Sequence, residues 1–298
     1  MERFIDLRAL ARVRDMELVA RSVANGFLHG VQPSEQRGVG IEFSQYRGYE
    51  PGDAPSRIDW KLYARSDRYF VREAERESET KVWLVLDTSQ SMRLSSEDGV
   101  WSKFDYGRYL AATLAYLAQS QGDQVGLVVL DGAAPILVPA LAGIRQWHRL
   151  LQQLDDLEAG GKFPDSETLG AELARLQGSG LVIFISDLHQ QGQEIDEFLR
   201  RVSTRHNEVA VLRLECDDEC DFPFKGAVRF EDLETGETVL ASGRSAREHY
   251  ARAREQWLGD IQQRLGQWEI GIDTLSTDEP LDFGLHAFLE RRRRGAVA

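Results

Sequence analysis

Four stretches of the chain are apolar at nearly every position and stop at polar residues: KVWLVLD at 81–87, QVGLVVL at 124–130, LVIFIS at 181–186 and VAVLRL at 209–214. Short continuous apolar runs with polar boundaries predict strands buried on both faces. Between them the apolar period lengthens to that of a helix. At 104–121, Leu110, Leu114 and Leu117 form one stripe, with Ala111, Ala115 and Ala118 beside it. Small residues at that spacing let a helix lie close on a sheet. At 145–157, Leu150, Leu151, Leu154 and Leu157 point inward, and further helices are predicted at 169–176 and 196–205. A short strand around 136–138 and a last one at 270–275 complete the set, with helices at 244–267 and 283–294. Strands alternating with helices predict a mostly parallel sheet covered on both faces. VRFEDL and ETVLAS flank Glu234-Thr235-Gly236, which predicts a hairpin excursion near 226–243.

The N-terminal quarter has a different texture. Met16, Val19, Ala20, Val23 and Phe27 share a helical face, so residues 6–27 predict a docking helix. From 31 to 69, glycines and prolines break any helical pattern, and Pro51-Gly52-Asp53 marks a turn. The segment is dense in aromatic residues (Phe43, Tyr46, Tyr49, Trp60, Tyr63, Tyr69, Phe70), which need burial to offset their ordering cost. We therefore expect 37–72 to fold as one unit against the rest, with 69–79 leading as an extended segment into the first buried strand. The expected organisation is a helix and β-rich segment over 1–75, then a doubly wound α/β domain over 76–298.

Composition narrows the function classes. A net charge of −13 and a pI near 5.0 argue against phosphate-backbone binding as the main activity. No apolar run reaches membrane-spanning length, and residues 1–14 carry no signal-peptide pattern, so a cytoplasmic location is expected. Cys216 and Cys220 fit a reducing compartment. Their C-x-x-x-C spacing, with no second pair nearby, is expected to be two unpaired thiols and not a zinc site. Arg291–Arg294 is expected to be a solvated helix end, where positive charge suits the macrodipole.

Candidate chemistry sits at the end of the first buried strand. Asp87 is followed by Ser89 and Ser91 at every second position. A carboxylate and two hydroxyls on one loop are all-oxygen ligands, suited to a hard cation such as Mg2+ or Mn2+. The loop leaves the carboxyl end of a strand, where open α/β sheets bind ligands. The strand at 181–186 ends in a second carboxylate, Asp187, at the same kind of position. The alternative is that Asp87 and the serines only cap the following helix and make local turn bonds.

These residues carry a resemblance. Asp87-x-Ser89-x-Ser91 after an apolar strand, with a later Asp187, resembles the metal-ion-dependent adhesion site (MIDAS) of von Willebrand factor A domains. RGVGIEFSQYRGYEPGD…RIDWKLYARSDRYFVREAERE, running into VWLVLDTSQSM, resembles the signature of the bacterial domain-of-unknown-function family 58 (DUF58). The resemblance implies a von Willebrand A-like sheet and a metal held by Asp87, Ser89, Ser91 and Asp187. It also implies a loop threonine, for which Thr168 is the best match and Ser166 a rival. Asp53 is followed by Ala54, so the second aspartate that the family often carries after its Pro-Gly turn is absent. The resemblance further implies a partnership with a MoxR-type AAA+ ATPase in assembling or activating other proteins.

Three functions compete. A non-enzymatic adaptor would offer an open metal position to an acidic residue of a protein partner. A metal-free scaffold would use the same fold without the ion. A Mg2+-dependent phosphatase-like enzyme would need a second aspartate two residues after Asp87 as general acid, and Ser89 stands there. The chain also has no G-x-x-x-x-G-K-[ST] phosphate loop. The adaptor is the expected function.

Overall fold

The structure, a computed structural model, describes residues 15–30, 45–48, 70–73, 80–132, 134–165, 168–170, 174, 176, 178, 180–190, 192–233 and 235–295. Helix α1 (Met16–Gly30) opens at Asp15, whose carboxylate accepts the Leu18 N–H at 3.1 Å. Its stripe of Met16, Val19, Ala20, Val23 and Ala24 is buried.

Strands β1 (Gln45–Gly48) and β2 (Phe70–Glu73) pair antiparallel, with Gln45 opposite Glu73. They belong to a separate compact unit, 32–79. The Pro51-Gly52-Asp53 turn and most of the aromatic segment expected around it lie outside the described residues. The expected boundary near residue 75 is corrected in one respect. Helix α1 belongs to the unit that holds 80–298, because its apolar stripe is buried in that unit's core.

That unit is built on a six-stranded sheet. Strand β3 (Lys81–Asp87) is followed by a 3-10 turn at Gln90–Arg93 and helix α2 (Lys103–Ser120). Strands β4 (Gln124–Leu130) and β5 (Ile136–Leu141) lead to helix α3 (Ile144–Asp155). Strand β6 (Gly180–Ser186), helix α4 (Glu194–Val202), strand β7 (Asn207–Glu215) and the short helix α5 (Asp217–Asp221) come next. Strands β8 (Ala227–Glu231) and β9 (Thr238–Ser242) form the expected antiparallel hairpin. Helix α6 (Gly243–Gln267), strand β10 (Gly271–Ser276) and helix α7 (Leu281–Gly295) close the chain. Of the helix expected at 169–176, Gly170, Ala174 and Leu176 are helical, and residues 171–173 and 175 lie outside those described.

The sheet order is β10-β7-β6-β3-β4-β5, parallel throughout except for β5, which runs antiparallel to β4. This is the doubly wound, mostly parallel α/β architecture expected from the sequence. Alternation along β3 divides its side chains between two cores. Val82, Leu84 and Leu86 join the core with α1, α2 and α3, while Trp83 and Val85 join Phe184, Phe198 and Ile261 on the other face. Two glycines permit close approach. A Cβ on Gly107 of α2 would sit 3.2 Å from Leu86 and Leu214, and one on Gly126 of β4 would sit 2.4 Å from the Trp83 ring. Small residues thus do bring α2 down onto the sheet.

Arg291 is exposed, as expected of a solvated helix end, and makes a surface ion pair with Asp273 of β10, while Arg292 pairs with exposed Glu208 of β7. Both cysteines are free, and Cys216 is buried at the start of α5. Among the described residues, no helix is long and apolar enough to cross a membrane.

Candidate functional site

Parallel register brings the two aspartates together. Leu86 of β3 lies opposite Ile185 of β6, so Asp87 aligns with Ser186, and Asp187 lies one residue beyond. Both carboxylates are sealed from solvent, as is Ser89. The Ser186 hydroxyl donates to Asp87 Oδ2 at 2.6 Å, and the Ser89 N–H donates to Asp87 Oδ1 at 2.8 Å. The Ser89 and Ser91 hydroxyls lie 3.2 Å apart, and Ser91 donates to Asp187 Oδ1 at 3.2 Å. Asp87, Ser89, Ser91 and Asp187 thus form one continuous network of oxygens.

The loop between them is held by its neighbours. The Thr88 hydroxyl donates to the Leu130 carbonyl, Gly160 N–H donates to the Thr88 carbonyl, and Gln90 N–H donates to the Gly161 carbonyl. Gly161 reaches that position with φ of 83°, which glycine adopts without steric cost. After Asp187, buried Leu188 takes a left-handed φ of 63°, a conformation a non-glycine residue holds only when its surroundings enforce it. The Leu188 N–H donates to Ser186 Oγ, which orients that hydroxyl toward Asp87.

Thr168 stands apart from this network. Its hydroxyl and its N–H both donate to Asp165, at 2.6 and 2.8 Å, on the exposed side of its own loop. Ser166 lies outside the described residues.

A buried lysine completes the site, and sequence reasoning missed it. Lys103 Nζ donates to Asp187 Oδ2 at 2.6 Å and to Glu219 Oε1 at 3.0 Å, with no exposed surface of its own. Ser102 caps α2 by accepting the Asp105 N–H at 3.0 Å, which puts Lys103 at the first helical position. A cation there opposes the macrodipole. That mismatch is the one sign in the sequence that Lys103 has carboxylate partners. Ser186 was missed as well, since a strand-terminal serine reads as a turn residue.

The electrostatics follow from this arrangement. Burial, then the neighbouring Asp187 charge, push the Asp87 carboxyl from 3.8 up to about 7. Burial also pushes Asp187 upward, but the Lys103 ammonium and the bonds from Lys103 and His189 outweigh it and hold Asp187 below its ordinary value. Glu219 is held well below the usual range, where the bond to His189 and the Lys103 charge overcome burial. Against its own burial, Lys103 is kept protonated by Asp187 and Glu219. His189 stacks on Trp257 of α6, with ring centroids 4.9 Å apart and planes within 7°.

The donor set fits a hard divalent cation. Asp87, Ser89, Ser91 and Asp187 supply only carboxylate and hydroxyl oxygens, and Lys103 engages just one oxygen of Asp187. With only two carboxylates, the set would keep open positions. Among the described residues, no group of three or more His, Cys, Asp or Glu side chains is placed to hold a metal.

The model of the family described as "Protein of unknown function DUF58" matches residues 45–257. The chain belongs to the DUF58 family. Similar proteins include uncharacterized protein Mb1516 of Mycobacterium bovis and uncharacterized protein Rv1480 of Mycobacterium tuberculosis. Each is 28% identical over 297 residues, covering 98% of this chain and 92% of the relative. Similar solved structures include the conserved hypothetical protein BatB from Bacteroides thetaiotaomicron, at 14% identity and a TM-score of 0.42, covering 72% of this chain and 99% of that one. The SpRpn10 VWA domain is similar at 10% identity and a TM-score of 0.38, covering 69% and 93%.

Proposed function

We propose that this DUF58 chain is a non-enzymatic, metal-dependent protein-binding adaptor, whose recognition surface is the carboxyl edge of the sheet around Asp87 and Asp187. The observation that carries this reading is the network of two buried carboxylates with the buried Ser89 and half-buried Ser91 hydroxyls at adjacent strand ends. Asp87, Ser89, Ser91 and Asp187 would hold Mg2+ or Mn2+, with Thr168 a further loop residue of the family pattern. The ion would supply a Lewis-acidic position for a partner's carboxylate. An adaptor fits the residues better than a phosphatase does, because Ser89 occupies the general-acid position and its hydroxyl is too weak an acid to deliver a proton near neutral pH. The family resemblance favours a MoxR-type AAA+ ATPase as partner, together with an acidic client protein, in the cytoplasm.

Lys103 favours a second reading, the metal-free scaffold. Its ammonium already lies 2.6 Å from Asp187 and offsets part of the charge there, shared with Glu219 at 3.0 Å. The two readings separate in a binding experiment between the full chain and the MoxR-type ATPase of the same organism. The adaptor reading expects binding that needs Mg2+ and is lost in Asp87→Ala. Binding that is indifferent to chelator and to Asp87→Ala would support the scaffold, and absence of binding in every condition would remove this partner.

A further inference from the structure

Lys103 has no exposed surface, and the adaptor reading gives it no role. Its Nζ donates to Asp187 Oδ2 at 2.6 Å, and Asp187 is a carboxylate that the same reading assigns to a cation. Two positive charges thus have a claim on one carboxylate. We propose that Lys103 is a resident counter-charge that competes with the divalent cation for Asp187, lowers the affinity of the site for it and so keeps that cation exchangeable. The inference rests on the metal-dependent reading above and adds the residue that regulates it.

The lysine is fixed at its backbone and at its tip. The Lys103 N–H donates to the Leu94 carbonyl at 2.9 Å, just past the 3-10 turn that carries Ser91. Glu219, the second carboxylate on the ammonium, is itself anchored. Its Oε2 accepts the Cys216 N–H at 2.9 Å, and its carbonyl accepts the Tyr250 hydroxyl at 2.8 Å. The side chain is sealed from solvent, so it has no route to water that would take its charge away from Asp187.

The competition falls on one oxygen. Asp187 Oδ1 accepts the Ser91 hydroxyl at 3.2 Å and the His189 N–H at 3.1 Å, while Oδ2 faces Lys103. Asp87 is served by neutral donors, the Ser186 hydroxyl and the Ser89 N–H. Repulsion between an ammonium and a divalent cation that share a carboxylate is weakly screened where water is excluded. Each therefore loosens the other's hold on Asp187. Glu219 moderates the contest, because its bond to the ammonium at 3.0 Å does not involve Asp187. A cation can then bind without expelling the lysine.

A purely structural lysine leads to the opposite outcome. Removing a structural partner leaves buried charge uncompensated and loosens the site, so affinity for the ion falls together with stability. Removing a competitor makes affinity rise while stability falls.

Binding of Mn2+ to the full chain, read from the electron paramagnetic resonance signal of the free ion at pH 8, separates the two. Lys103→Met is expected to bind Mn2+ at least tenfold more tightly than wild type, although it melts at a lower temperature. Lys103→Met with Glu219→Gln removes one charge of each sign, so the net charge stays the same while Asp187 loses its ammonium. This double variant is expected to bind at least threefold more tightly than wild type, an increase that net charge alone does not produce. It also decides the matter if circular dichroism shows that Lys103→Met does not fold. Binding by the variants but not by wild type would support the proposal in its strongest form. If wild type binds and no folded variant binds more tightly, the proposal is overturned and the metal-dependent reading stands. If none of the three proteins binds Mn2+ at millimolar concentration, the metal-dependent reading fails and this inference fails with it.

Discussion

Lys103 Nζ lies 2.6 Å from Asp187 Oδ2, and neither side chain is exposed by more than 1%. A buried pair is weak evidence of net stability, but removing one partner leaves the other charge without compensation. Lys103→Met should therefore destabilise the fold by about 3–5 kcal/mol in urea unfolding. Mg2+ at millimolar concentration should recover part of that loss, since a divalent cation can neutralise the carboxylate that the ammonium has abandoned. A loss under 1 kcal/mol would mean that water reaches Asp187 and that the pair is less sealed than the geometry indicates.

Asp87 predicts a pH dependence of the opposite sign from most carboxylates. Its folded value of about 7 lies above the unfolded 3.8, so between these values the native state binds more protons than the unfolded state. Stability from this group therefore falls as pH rises, by about 2 kcal/mol between pH 5 and pH 7 at 1.4 kcal/mol per unit. Asp87→Asn keeps the shape without the charge. In metal-free buffer it should be more stable than wild type at pH 8, and the advantage should shrink toward pH 5. Asp187 and Glu219 have lowered values, so their contribution is present above the unfolded range and lost in acid below it. Denaturant curves across pH 3–8 measure both trends.

Metal should reverse the penalty at Asp87. Binding to the native state alone stabilises by mass action, roughly 2.7 kcal/mol at a hundred times the dissociation constant. Mg2+ or Mn2+ should raise the melting temperature of the wild type, while Asp87→Ala should melt at the same temperature with and without the ion. A wild-type melting temperature that ignores both ions at millimolar concentration would rule out a tight site in the unpartnered chain.

Gly126 tests the packing beneath Trp83. A methyl group there would sit 2.4 Å from the indole, and overpacking of this kind costs about 1–3 kcal/mol. Gly126→Ala should show that loss in urea unfolding, and Trp83→Leu in the same background should return part of it by making room.

The sequence by itself determined the sheet and half of the site. Apolar runs at 81–87, 124–130 and 181–186 are buried on both faces because helices cover both, and such strands have no polar face to obscure the pattern. Asp87, Ser89 and Ser91 are neighbours along the chain, so local spacing displayed them. Asp187 was legible because parallel strands end at one edge of the sheet.

The remainder depended on contacts that carry no local signature. The last strand lies beside β7 at the sheet's edge, a placement that periodicity alone does not encode. Helix α1 joined the α/β core because its stripe found α2, across a long gap in sequence. Thr168 satisfied its hydroxyl on Asp165, three residues away, a local bond that competes with any role at the metal loop. Lys103 meets Asp187 and Glu219 at sequence distances of 84 and 116 residues. Desolvation decides what that meeting does: only when the fold excludes water does a routine lysine become the fixed counter-charge of a buried carboxylate pair.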